Sequence, residues 1–330
     1  MKNVPILSSR RLGLACVMAT LAAVLPLQAL SQVYPAKPVK VLVGFTAGGA
    51  VDLIARSVGQ VMQASLGQPI VVENKPGAGT NIAMKALIDA PPDGYTLMLT
   101  ANSIAANPAL YKPAPFDPEK DVAPVALVGR VPVVIAANAA SPYTSVAQLI
   151  QAAKGKPNTI AYGSPGNGAT PHMAMEFFTR AAGVDLQHIP YKGGSQAITD
   201  AIGGQIPLVA VNALEVLPHV KSGKLRVLAV LSPNRSSIYP DVPTIAESGF
   251  PGFEASVWYG FIAPAATPKA VVERLHAEVE KALQNPEVRA RLANAGGEVL
   301  PGTTEQFAAL IRAERQRYEK LVREANIKPD

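Results

Sequence analysis

Four stretches of this sequence halt a strand-like apolar run at a small, glycine-rich turn and resume at helical spacing. They are "FTAGGAVDL" (45–53), "ENKPGAGTNIA" (73–83), "YGSPGNGATPHMAMEFF" (162–178) and "IPYKGGSQAITDAI" (189–202). Glycine allows close approach to the backbone, and a helix N-terminus presents unpaired N–H groups and the positive end of a dipole. That combination suits an anion, whether phosphate or carboxylate. A packed neighbouring element would explain any one of these turns equally well, and two of the four fit comfortably as plain strand–helix loops. Four in one chain point to a cleft that receives an anion. Thr170 opens the third helix, so its hydroxyl and the N–H groups of Gly168 and Ala169 are expected to hold the charge.

Catalytic patterns are missing from the same stretches. Gly77-Ala78-Gly79 has Ile82 where a dinucleotide fingerprint needs its third glycine. "GSPGNG" is not the G-x-S-x-G of a nucleophile elbow, and no phosphate loop of the G-x-x-x-x-G-K-[ST] type occurs. His172, His188, His219 and His276 are scattered without metal-ligand spacing, and His172 reads as a capping or packing residue. Asp52 and Asp93 stand alone and read as a helix-cap and a turn residue. Trp258 reads as core. The sequence thus predicts no catalytic residue, no metal and no cofactor.

The elements that would position these turns alternate. Strand-like runs are "VKVLVGF", "PIVVEN", "YTLMLT", "VALVGRVPVVIAA", "TIAYGS", "LQHIPY", "IPLVAV" and "LRVLAVL", with helical patterns between most of them. Ser145 with Gln148 and Thr303 with Gln306 fit capping boxes, and Thr267-Pro268 fits an N-cap followed by proline. This rhythm predicts an α/β fold with largely parallel sheets. From Pro268 onward the chain is almost wholly helical, with amphipathic segments at 268–284 and 304–325. They have few strands of their own to cover, so they are expected to pack back on the first sheet. The first lobe would then be discontinuous (32–130 plus 258–330), with 131–257 as the second. "VALVGRVPVVI" and "ASVWYGFIAP" would be two hinge crossings, and a hinge between α/β lobes makes a cleft.

Composition agrees with a globular chain: 48% hydrophobic and 16% charged over 330 residues. The formal net charge is +6, but Lys2, Arg10 and Arg11 are the only charges in 1–31; removing them from 30 Lys+Arg leaves 27 against 24 acids, a net of +3. No basic stripe with interleaved aromatics occurs, so nucleic acid is not an expected partner. The three N-terminal charges, the uncharged run 12–30 and Ala29-Leu30-Ser31 predict an export signal (1–31) cleaved before Gln32. The run is also long enough to be an uncleaved anchor, but Pro26 and the small residues favour removal. Cys16 is the one cysteine, so the mature chain would have no thiol, which suits an oxidising periplasm.

Read in order, "YPAKPVKVLVGFTAGGAVDLIAR", "VVENKPGAGTNIA", "PPDGYTLML", "YGSPGNGATPH", "PYKGG", "LPHVKSGKLRVLAV", "WYGFIAP" and "EANIKPD" resemble the substrate-binding proteins of tripartite tricarboxylate transporters, the Bug family. The match runs through essentially all of 34–330. The resemblance implies a type II periplasmic-binding-protein fold, two α/β lobes around a ligand cleft. It implies a monomer that captures a small organic carboxylate and serves membrane transporter subunits or, alternatively, a sensor kinase. An enzyme acting on a carboxylate in the same cleft is a third, weaker reading. The resemblance implies ligand contacts from Thr46, Ala47, Gly48, Gly49, Asn102, Ser103, Ser164, Asn167, Gly168, Ala169, Thr170 and Asn212, part of them through water. Relatives often carry Asp-Asn where this chain has Val211-Asn212. With that acid missing, the expected ligand is a carboxylate without a required ammonium group.

Overall fold

The computed structural model of the chain describes residues 34–294, 296–325 and 327. The expected export signal and its cleavage point lie outside those residues. Every element below falls in one compact unit that begins at Lys37.

In chain order the elements are β1 (Val39–Val43), α1 (Ala50–Leu66), β2 (Ile70–Asn74), α2 (Asn81–Ile88), β3 (Thr96–Thr100), α3 (Ser103–Leu110) and β4 (Val122–Asn138). Then come α4 (Val146–Ala153), β5 (Ala161–Ser164), α5 (Thr170–Ala182), β6 (Gln187–Pro190), α6 (Gly194–Ile202), β7 (Leu208–Asn212), α7 (Ala213–Lys221) and β8 (Leu225–Val230). The chain closes with β9 (Ser256–Pro264), α8 (Lys269–Gln284), α9 (Pro286–Asn294), β10 (Glu298–Val299) and α10 (Thr304–Ala325). All eight strand-like runs of the sequence are strands. The apolar spacing of α1 places Ile54, Val58 and Met62 in the core, while Leu53, one position off that stripe, is 41% exposed.

Two sheets share one strand. The first is ordered β2-β1-β3-β9-β4, with β10 also on β4; the second joins β8, β4, β7, β5 and β6. β4 pairs with β9 from Val122 to Pro132, then with β7 and β8 from Val133 to Asn138. β9 runs antiparallel between β3 and β4. The expectation of largely parallel sheets is therefore corrected. β1/β2, β1/β3, β5/β6 and β5/β7 are parallel, as helical crossovers require, but every pair that involves β4 or β9 is antiparallel. These two strands carry the chain out of the first sheet and back, in opposite directions.

The C-terminal helices return to the first sheet. α8 packs on α1 and β4, and α10 packs on α3 and β4. Phe307 and Ile311 join Leu42, Met98, Ile262 and Trp258 in one core. Trp258 meets Phe307 edge to face at 5.5 Å, so the indole is core and not cleft wall. Thr303 and Gln306 form the full capping box, each side chain bonding the other's backbone N–H. At α4 the box is skewed: Ser145 Oγ accepts from Gln148 N–H, but the Gln148 side chain reaches Thr144. Pro268, not Thr267, caps α8, because the Thr267 hydroxyl turns back to the Pro264 carbonyl.

Candidate functional site

Three of the four glycine-rich turns meet around a small cavity of about 20 Å³. The start of α1 contributes Gly49 and Ala50, the turn before α5 contributes Ala169, and the start of α6 contributes Gly194. Asn212, Glu215 and Tyr259 complete the polar part of the wall. The fourth turn, at Gly77–Thr80, lies outside this cavity and lines an adjoining surface pocket with Tyr111 and Asn167.

The first turn is held by Asp52, which is 3% exposed. Its carboxylate accepts from Arg56 Nε, from Gly48 N–H at 3.0 Å and from Asn74 Nδ2 at 3.0 Å. Asn74 Nδ2 also reaches the Phe45 carbonyl, so both ends of the turn are tied to one group. Burial alone would push the Asp52 carboxyl up; the hydrogen bonds from Arg56, Gly48 and Asn74 outweigh it and hold the carboxyl below its ordinary value. The reading of Asp52 as a simple cap is thus too small. It also consumes the Gly48 N–H, which the sequence assigned to a ligand. Among the described residues, the N–H groups of Ala47 and Gly49 keep no protein acceptor.

The turns touch across the cleft. Thr46 N–H donates to the Lys192 carbonyl at 3.4 Å, and Thr46 Oγ1 lies 3.4 Å from Ser195 Oγ. Gly193 has no room for a side chain, since a Cβ there would strike Thr46 Oγ1. Ala50 N–H, at the start of α1, donates to Glu215 Oε1 at 3.2 Å. The cleft is therefore closed in this conformation, with a lid of contacts from 46–50 on one side and 192–195 and 215 on the other.

The second predicted segment is more self-contained than expected. Gly168 N–H donates to His172 Nδ1 at 3.2 Å, and Ala169 N–H donates to the Gly166 carbonyl at 3.2 Å. Neither is left for an anion, which corrects the role given to them, although Ala169 itself lines the cavity. Thr170 behaves otherwise: its hydroxyl is buried with no hydrogen-bond partner, and its neighbours Ala169 and Pro171 line the cavity. Ser164 is fully buried, takes the Gly166 N–H, and lies 2.7 Å from His188 Nε2. His188 stacks on His172 at 4.0 Å, and burial lowers its pKa to about 4. Asn167 and Gly168 face the first lobe instead: the Asn167 carbonyl sits against Gly79, and Gly168 sits against Asn107 Oδ1.

Two more predicted residues are structural. Asn102 is 1% exposed; its Nδ2 donates to the Ser256 carbonyl and to Glu314, and its Oδ1 accepts from Trp258 N–H at 3.0 Å. It pins the second crossing to α10. Ser103 Oγ bonds Thr80 Oγ1 at 3.1 Å. Asn212 does line the cavity, and its Nδ2 donates to Glu215 Oε1 at 2.7 Å. Sequence reasoning missed Glu215 and Tyr259. Burial raises the Glu215 carboxyl above its ordinary value, against the hydrogen bonds from Asn212 and Ala50. Among the described residues no cluster of His, Cys, Asp and Glu could hold a metal ion, and no helix is long and apolar enough to cross a membrane.

Known proteins share this fold. The model of the tripartite tricarboxylate transporter family receptor matches residues 54–327. Protein BugT of Bordetella pertussis is 37% identical over 297 residues, covering 89% of this chain and 91% of BugT. The solved structure of the periplasmic binding protein BugD superposes with a TM-score of 0.86 at 34% identity, covering 90% of this chain and all (100%) of that one. MatC from Rhodopseudomonas palustris with bound malate superposes at 0.84 with 31% identity, covering 88% of this chain and 100% of that one. A two-lobed periplasmic-binding fold crossed by two strands, and this extent of similarity, have one reading: the chain belongs to the Bug family of tripartite tricarboxylate transporter receptors.

Proposed function

We propose that the protein is a periplasmic solute-binding protein that captures a small organic carboxylate for a tripartite tricarboxylate-type uptake system. One observation supports it most: helix starts from both sheets converge on one cavity, and the two sides hydrogen-bond across it. MatC holds malate in the same fold, which fits a carboxylate here. We take the lobes to be 32–130 with 258–330, and 131–257, joined by β4 and β9. Opening and closing is a population shift between states, driven by the ligand's contacts with both lobes. The membrane subunits of such a transporter are the partners this reading implies, reached after export and removal of residues 1–31.

Ser164 and His188 resemble a nucleophile and its base, but they do not support an enzyme. Both are committed to local structure, neither lines the cavity, and a His with pKa about 4 is a poor base at neutral pH. The test of the binding reading is a thermal-shift panel of mono-, di- and tricarboxylates, aromatic acids, amino acids and sugars, with X-ray scattering on each hit. Compaction and a higher melting midpoint with a carboxylate are expected. Response to neutral sugars alone, or turnover of the bound acid, would overturn it.

A further inference from the structure

Three rings from three elements form one stack behind the third glycine-rich turn. Tyr162 on β5 lies against His188 on β6 at 5.0 Å, and His188 lies against His172 on α5 at 4.0 Å with 11° between the planes. Neither imidazole lines the cavity. Each is tied to the turn instead. His188 Nε2 lies 2.7 Å from Ser164 Oγ, which takes the Gly166 N–H at 3.1 Å. His172 Nδ1 takes the Gly168 N–H at 3.2 Å, so a neutral His172 carries its proton on Nε2, 3.8 Å from Glu176 Oε1. Gly166 and Gly168 have φ of +131° and +73°, and glycine restrains such a chain least of all residues. The shape of the turn is therefore imposed by the side chains that hold it. That shape leaves the Thr170 hydroxyl buried without a partner beside the cavity, and it seats Gly168 on Asn107 Oδ1 of α3, where no Cβ would fit.

We propose that His172 is a positioning residue for ligand capture: through Nδ1 it holds the Gly166–Thr170 turn in the shape that presents Thr170 to the cleft, and His188 is the plate on which its ring is set. This rests on the reading of that turn as part of the ligand's wall. The stack and the hydrogen bond are separable. Stacking needs a flat ring, whereas positioning needs an acceptor where Nδ1 stands. His172→Phe keeps the ring and loses the acceptor, leaving the buried Gly168 N–H unpaired. His172→Asn loses the ring, but its amide oxygen can take the place of Nδ1. A residue that only packs would tolerate Phe better than Asn. A positioning residue reverses that order for affinity and keeps it for stability.

Proton–nitrogen correlation spectra of the histidine rings test this first, on the parent protein. His172, identified by the signal missing from His172→Asn, is expected with Nδ1 bare and Nε2 protonated at neutral pH. Calorimetric titration follows, with the tightest binder among succinate, malate, adipate, citrate and benzoate. His172→Phe should weaken that acid by about tenfold or more, the weight of one unpaired buried N–H. His172→Asn should bind within about threefold of the parent although it melts lower. Should His172→Phe not fold, the tautomer and the His172→Asn titration still decide. A proton on Nδ1, parent-like or tighter binding by His172→Phe, or a loss in His172→Asn beyond threefold would each overturn the positioning role while leaving carboxylate binding intact. If none of the five acids binds the parent, the binding reading and this inference fall together.

Discussion

Asp52→Ala should weaken binding without the residue ever touching a ligand. The carboxylate holds the 45–48 turn through Gly48 N–H and Asn74, and Arg56 closes over it. The Arg56 side chain is 49% exposed, so its ion pair contributes no more than about 1 kcal/mol. A hydrogen bond to a charged group is worth about 1.5–3 kcal/mol, but Gly48 is exposed and recovers water, and Asn74 keeps the Phe45 carbonyl. The net loss of stability should be about 2 kcal/mol, read as a lower urea midpoint with unchanged slope. Releasing two turn residues adds about 1–2 kcal/mol of ordering each, part of which the ligand must then supply. Affinity for the tightest acid of the carboxylate panel should fall by about 5–30-fold. Asp52→Asn keeps an acceptor for Gly48, so it should lose stability but bind within about threefold of the parent. Calorimetry on both variants decides the matter. If Asp52→Ala binds like the parent, or if both variants lose affinity equally, the idea that this hydrogen bond sets the turn is wrong.

Thr170→Ala removes a buried hydroxyl that bonds nothing in the closed protein, so stability should change little while affinity drops about 10–100-fold; unchanged affinity in the titration removes Thr170 from the site. Gly193→Ala places a methyl group against Thr46 Oγ1, so scattering should show less compaction at saturating ligand, and full compaction would refute the contact's role. For His188, burial lowers the pKa from 6.5 to about 4. The unfolded chain therefore gains a proton through that window and the folded chain does not. His188 costs nothing above about pH 6.5 and up to about 3 kcal/mol as the pH falls towards 4. His188→Phe should flatten that part of the stability–pH curve, and a curve parallel to the parent's would contradict the assignment.

What the sequence made legible was local. Strand runs, the Thr303–Gln306 capping box and the amphipathic C-terminal helices are each written within a few residues, and each is found. The sheets' mixed direction was not, because β4 and β9 pair with partners far along the chain. Asn102 shows the same limit at the site. The family resemblance implied a ligand contact for it, yet its amide oxygen is engaged by Trp258 N–H, 156 residues away. Glu215 reads as an acid in a helix's first turn, where the dipole favours it whatever it faces. Only the approach of Ala50, 165 residues distant, brings it to the cavity. The backbone N–H groups were misjudged for the opposite reason. Gly48, Gly168 and Ala169 find acceptors within four residues, and glycine content alone does not reveal which donors are already used.

The place of β9 between β3 and β4 also bears on synthesis. The first sheet has a central gap until the chain has been made past Pro264, and β4 has no partner along its first half until then. Long-range pairing of this kind is slow, since loop closure precedes any reward. A nascent chain shorter than about three quarters of its length therefore cannot complete that sheet, however stable its local helices. Fragments ending before Ser256 should remain open to protease along β1, β3 and the first half of β4. The same delay keeps the growing chain threadable until β9 has been made.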